Sequence, residues 1–127
     1  MKASRTPLPP MVEQALVHLQ RGRFADAEAL LVTAVQTEPG HAMAHSMLGF
    51  SRYRQRQLPE AAESLRHSLA LAPRQPDTLM NLGYVLRGLG QDEDAAQCFR
   101  KVLALVPTLE DAYMQLGEIR HDTGALE

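Results

Sequence analysis

With 127 residues, 45% of them hydrophobic and 22% charged, the chain is sized for about one globular domain and is too apolar for general disorder. A formal charge of −2 and a pI near 6.2 give no basic face for nucleic acid, and no apolar run approaches the roughly 18 to 20 residues of a membrane span. Cys98 stands alone, so an intrachain disulfide is excluded and the composition points to the cytoplasm.

Residues 1–7 carry Lys2 and Arg5 without an apolar segment behind them, and Pro7, Pro9 and Pro10 oppose one. They read as a flexible tail, not as an export signal. From there apolar residues recur at helical spacing. The pattern predicts a helix over 10–21 that opens on Pro10, a turn at Gly22, and a second helix over 24–37 closed by Pro39. The same signals return as helices over 42–55 and 58–71 closed by Pro73, over 76–89 and 92–105 closed by Pro107, and over 110–122. That makes seven helices and no strands, an all-α chain.

Pro39, Pro73 and Pro107 lie 34 residues apart, as do Ala27, Ala61 and Ala95, Gly49, Gly83 and Gly117, and Leu48, Leu82 and Leu116. Gly22, Gly90 and Gly124 share the period, with Arg56 in the remaining turn slot; Phe24, Leu58 and Leu126 share it too, with Asp92 as the exception. The chain is thus one domain over 8–127, with repeats 8–41, 42–75 and 76–109 and a half repeat or capping helix over 110–127. Small residues at the Gly and Ala slots let helices approach, and Leu31, Leu65 and Phe99 fill the space beside them. No such unit buries its apolar face alone, so neighbours must stack. Glu110, Asp111, Glu118 and Asp122 suit an exposed cap, but Leu116, Gly117 and Ile119 keep the stacking pattern, which favours a piece of a longer array or multidomain protein.

Over residues 8–127 the chain resembles the tetratricopeptide repeat family, whose 34-residue pattern runs W-x2-L-G-x2-Y, then A-x3-F, then P. The third unit matches with Leu79, Leu82, Gly83, Leu86, Ala95, Phe99 and Pro107, and the second with His45, Leu48, Gly49, Arg52, Ala61, Leu65 and Pro73. The first unit is weaker in front, with Met11, Gln14, Ala15 and His18, yet keeps Ala27, Leu31 and Pro39. The resemblance implies an α-solenoid of three and a half helix-turn-helix repeats in a right-handed superhelix. Its concave groove would hold an extended peptide or a helix of a partner protein.

On a helical wheel, positions 4, 7, 8 and 11 of each first helix carry the repeat motif, and positions 2, 5, 6, 9, 12 and 13 point about 150° away. That second face reads as the groove. It supplies Met43, Met47, Phe50, Tyr53 and Arg54 from the second unit, Asp77, Met80, Asn81, Tyr84 and Arg87 from the third, and Met114 and Gln115 from the half repeat. Four of the six methionines fall there, together with aromatic residues, as in surfaces that accept apolar or amphipathic segments. Packing of these methionines against the neighbouring repeat is the competing reading. Arg54 and Arg87 are placed to hold a carboxylate at the edge of the groove. Two specialised modes that the resemblance brings to mind fit poorly. A lysine, asparagine and arginine clamp for acidic chaperone tails meets Val12, Leu16, Met47, Asp77 and Asn81; an asparagine ladder meets Glu13, Met47, Asn81 and Gln115.

Catalytic chemistry finds no foothold. His41 and His45 are four apart but lack a third metal ligand. Arg52, Arg54 and Arg56 read mainly as a solvated helix end and Asp92, Glu93 and Asp94 as a helix start, each complementing the helix dipole. Cys98 has no histidine at motif spacing, and no phosphate-binding or nucleophile-elbow motif occurs. The expected function is therefore a non-enzymatic adaptor without cofactor or metal that binds a protein or peptide. A substrate-recruiting region of a larger transferase or hydroxylase is the alternative, and self-association through Tyr113, Leu116 and Ile119 of the last helix a third. The high Ala, Arg, Leu and Gln content has a bacterial character.

Overall fold

The computed structural model describes residues 9–122, so the expected tail 1–7 and the slots of Gly124 and Leu126 lie outside the described residues. Seven helices follow one another: α1 (Pro10–Gln20), α2 (Phe24–Thr37), α3 (Ala42–Arg54), α4 (Leu58–Leu71), α5 (Pro76–Gly88), α6 (Asp92–Leu105) and α7 (Glu110–Asp122). There is no strand among the described residues. Pro10, Pro59 and Pro76 sit in first turns, where a missing N–H costs no helical hydrogen bond.

The turns inside the three repeats share one construction. Gly22, Arg56 and Gly90 take positive φ of 74°, 66° and 79°. The following amide then reaches back to the last turn of the helix: Arg23 to the His18 carbonyl at 2.8 Å, Gln57 to Arg52 at 2.9 Å, Gln91 to Leu86 at 2.8 Å. This left-handed closure satisfies carbonyls that a helix end would leave bare and reverses the chain into the second helix.

Consecutive helices pack along the whole chain. Ala27, Ala61 and Ala95 are fully buried beside Leu31, Leu65 and Phe99. A Cβ at Gly49 would lie 2.6 Å from Leu65 Cγ, and one at Gly83 would lie 2.5 Å from Phe99 Cζ, so the glycines mark places where first and second helices touch. The apolar interior falls into two clusters. One joins α1 and α2 to Ala44, Met47 and Leu48 of α3, and the other runs from Ala61 of α4 to Ile119 of α7. Ile119 therefore faces inward and Leu116, half-buried, packs against the same cluster, so of the three residues expected to stack on another chain Tyr113 alone is exposed.

Candidate binding groove

Within the layer of first helices α1 touches α3 and α3 touches α5, whereas no pair of second helices meets as closely. The first-helix layer is thus the tighter, inner side of the stack. Two open clefts lie on it. One of about 420 Å³, between α3 and α5, is lined by Met43, Ser46, Gln75, Pro76 and Asp77 among others. The next, of about 380 Å³, lies between α5 and α7 and is lined by Asp77, Met80, Asn81, Tyr84, Leu109 and Asp111. Asp77 borders both.

The four methionines divide. Met43 and Met114 are 49% and 56% exposed, but Met47 and Met80 are only 9% and 8% exposed and belong to the two apolar clusters. The cause is lateral packing, which carries Met47 and Met80 into the apolar clusters between neighbouring helices. Val12, at the slot of Met80, is buried too, and Ser46 Oγ meets Thr78 Oγ1 at 2.7 Å across the α3–α5 contact. Met80 still forms the wall of the second cleft; Met47 lines neither.

Of the two arginines expected to await a carboxylate, Arg87 is already ion-paired and Arg54, an exposed residue, rests on aromatic rings. Arg87 donates from Nη1 to Gln115 Oε1 at 3.0 Å and Glu118 Oε1 at 2.9 Å, and from Nη2 to Asp122 Oδ2 at 2.6 Å, tying α5 to α7. The Arg54 guanidinium lies 4.7 Å above the Phe24 ring and 5.8 Å from that of Phe50, and the two rings meet edge to face at 6.1 Å. Gln115 is thereby a partner of Arg87, whereas the Asn81 amide makes no hydrogen bond within the described residues. Tyr84 stacks on Tyr53 at 6.5 Å and edge-on to Phe99 at 5.8 Å. Burial, aided by Asp111, Tyr53 and Glu118, pushes its phenol up, so it remains un-ionised near neutrality. Phe24, read only as part of the turn series, and Leu109 were not expected at this face because one stands in a second helix and the other in a connection.

A polar junction links α2, α3 and α4 around the second unit. Arg52, read from the sequence as part of a solvated helix end, is instead half-buried. Its Nε donates to Glu28 Oε2 at 3.0 Å and its Nη1 to Ser64 Oγ at 2.9 Å, while Gln55 and Gln57 donate to Glu28 Oε1 at 2.9 and 3.3 Å. Burial raises the Glu28 carboxyl, but these donors and the Arg52 charge outweigh it and hold the group below its usual range. His41 and His45 have separate occupations. His41 Nδ1 caps α3 by accepting from the Ala44 amide at 3.1 Å, and His45 pairs its Nε2 with the Pro39 carbonyl at 2.8 Å while stacking on His67 at 4.0 Å. Among the described residues no three His, Cys, Asp or Glu side chains converge as a metal site. The Cys98 thiol is buried and pushed up by desolvation, which makes it a poor nucleophile.

A family model described as tetratricopeptide repeat matches residues 12–76 and 47–110. None of the proteins with curated descriptions matches the chain. Among solved structures, MamA is 22% identical with a TM-score of 0.88 over 90% of this chain and 67% of its own. The first TPR of Spaghetti (RPAP3), bound to the HSP90 peptide SRMEEVD, is 17% identical with a TM-score of 0.86 over 90% of both chains. An O-GlcNAc transferase of Thermobaculum terrenum, in a mutant form, is 26% identical with a TM-score of 0.78 over 87% of this chain but only 21% of its own.

Proposed function

The chain belongs to the tetratricopeptide repeat family, and from that premise we propose that its first-helix face binds a segment of a partner protein in the two clefts around Asp77. The carrying observation is that this face combines exposed apolar side chains, Met43 at one cleft and Met114 on α7, with a polar group lacking an internal partner, Asn81, in the other cleft. Apolar contact supplies area, and the Asn81 amide is free to pair with a peptide backbone. The peptide-bound RPAP3 structure supports such use of the fold. Its acidic peptide is not carried over as a ligand: Arg87 is already paired with Glu118 and Asp122, and Arg54, stacked on Phe24, lines neither cleft.

The proposed contact set is Met43, Phe50, Asp77, Met80, Asn81, Tyr84, Met114 and Gln115, with Arg54 and Arg87 as framework at its edges and Met47 beneath it. In the double variant Met43→Glu, Met114→Glu both side chains are exposed, so helical circular dichroism and melting should be unchanged while proteins captured from lysate by immobilised wild type are lost. Capture that survives in the folded variant would sink this placement. The match to one fifth of a sugar transferase supports a second reading, in which the same face recruits substrate proteins to a catalytic domain joined to the array. Intact-mass measurement of the protein in its own cell tests that reading; a product of 14.1 kDa would end it.

A further inference from the structure

The charges of the first-helix face are unequal. By position they comprise five carboxylates, Glu13, Asp77, Asp111, Glu118 and Asp122, against two guanidiniums, Arg54 and Arg87. Arg87 is neutralised by Glu118 and Asp122, and Arg54 rests on two aromatic rings at the far end of α3. Asp77 and Asp111 are exposed, make no ion pair within the described residues, and border the same cleft. Around them the lining is largely uncharged and in part apolar: Met80, Tyr84 and Leu109 in that cleft, Met43 and Pro76 in the next. The face has apolar walls, open volume and unneutralised negative charge at its centre.

Building on the groove reading above, we propose that the occupant is a cationic peptide segment, with a lysine or arginine flanked by apolar residues and its basic head seated in the cleft of Asp77 and Asp111. A carboxylate entering there would meet two like charges with no free cation to offset them, whereas an ammonium or guanidinium gains both. The apolar walls take the methylenes of the same side chain and its neighbours, the usual way in which a long basic residue covers apolar surface while keeping its charge solvated. Asn81 beside this seat holds the backbone of the bound segment. The net negative field also steers a basic segment towards the face, so association should be faster at low ionic strength.

The test uses a random dodecapeptide display library panned against the immobilised full chain, at low salt and at about 0.5 M sodium chloride, where the Debye length falls to roughly 4 Å. The low-salt set should be enriched in lysine and arginine and depleted of aspartate and glutamate, and most of it should be lost at high salt. Synthetic copies of enriched peptides should bind about fivefold more weakly to the double variant Asp77→Asn, Asp111→Asn, a change in keeping with two exposed charge pairs. Circular dichroism confirms that this variant remains folded. Peptides of neutral or negative charge, or equal affinity for the asparagine variant, would overturn the cationic assignment. The groove reading would survive that result provided Met43→Glu, Met114→Glu still blocks the peptides. Peptides indifferent to that variant, or no enrichment at all, would remove both.

Discussion

At the turn slot of the second unit Arg56 holds φ at 66°, the left-handed conformation that Gly22 and Gly90 hold at 74° and 79° in the neighbouring units. A side chain in that region costs about 1–2 kcal/mol, while glycine adds only part of that back as unfolded-state entropy. Arg56→Gly should therefore stabilise the chain by about 0.5–1 kcal/mol, visible as a rise of about 2–4 °C in the thermal melt; an unchanged or lower midpoint would refute the account of the turn. Glycines inside the first helices serve a different need. The absent Cβ of Gly83 leaves room for Phe99, and that of Gly49 for Leu65, both fully buried and unable to retreat. Gly83→Ala and Gly49→Ala should each destabilise by about 1–3 kcal/mol in denaturant titrations. Gly117 occupies the same slot in α7, but a Cβ there meets nothing within 4 Å. Gly117→Ala should raise stability by about 0.5–1 kcal/mol through helix propensity alone. A loss equal to that at Gly83 would mean that a helix already covers this face of α7.

At the scale of elements, α2, α3 and α4 meet through titrating groups. His45 is held below its ordinary value of 6.5 by burial first, with the neighbouring charges of His67 and His41 adding to it and the Pro39 carbonyl opposing. Its neutral form is the folded one, so the stability it contributes is present above about pH 6.5 and is lost as pH falls from there through the depressed folded pKa. Glu28, also depressed, contributes above its ordinary value of 4.5 and loses that as pH falls through its folded pKa. His45→Leu, the residue type that Leu79 supplies at the same slot of the third unit, should flatten the fall in melting temperature between pH 7 and 5, and Glu28→Gln should flatten only the more acid part. An identical slope in the His45 variant would show that the histidine stack carries no linkage. The helices themselves were legible in the sequence, each within one residue of its observed end, because a 34-residue period punctuated by proline and glycine repeats every signal. The Glu28–Arg52 junction was not, since its partners are 24 residues apart on different units and no single-helix periodicity relates them. The groove was legible in part. A wheel drawn for one helix separates Met43 and Met114 from the motif face, yet it cannot show that lateral contact between first helices consumes Met47 and Met80.

For the whole molecule, the division of the core matters more than its size. In a stacked array stability is roughly the sum of unit and interface contributions, so the weakest interface sets where the chain opens first. Between the two apolar clusters the second unit buries His45, Ser51, Ser64 and Ser68 and half-buries Arg52, whereas the third buries Leu79, Val85, Cys98, Val102 and Leu86 at the equivalent positions. Two groups of this region, His45 and Glu28, lose their stabilising form in acid. Unfolding near pH 7 should accordingly be close to a single transition, and below about pH 5 it should separate, with α1, α2 and α3 opening before α5 and α6. Hydrogen exchange followed by mass spectrometry, expressed as opening free energies at each pH to remove the chemical rate, measures this directly. The expected result is a selective loss of protection in α1, α2 and α3, leaving Asp77 and the α5–α7 cleft on the part that stays folded. Uniform loss across all helices would show that the Leu65–Gly49 contact couples the clusters strongly enough to override the polar junction between them.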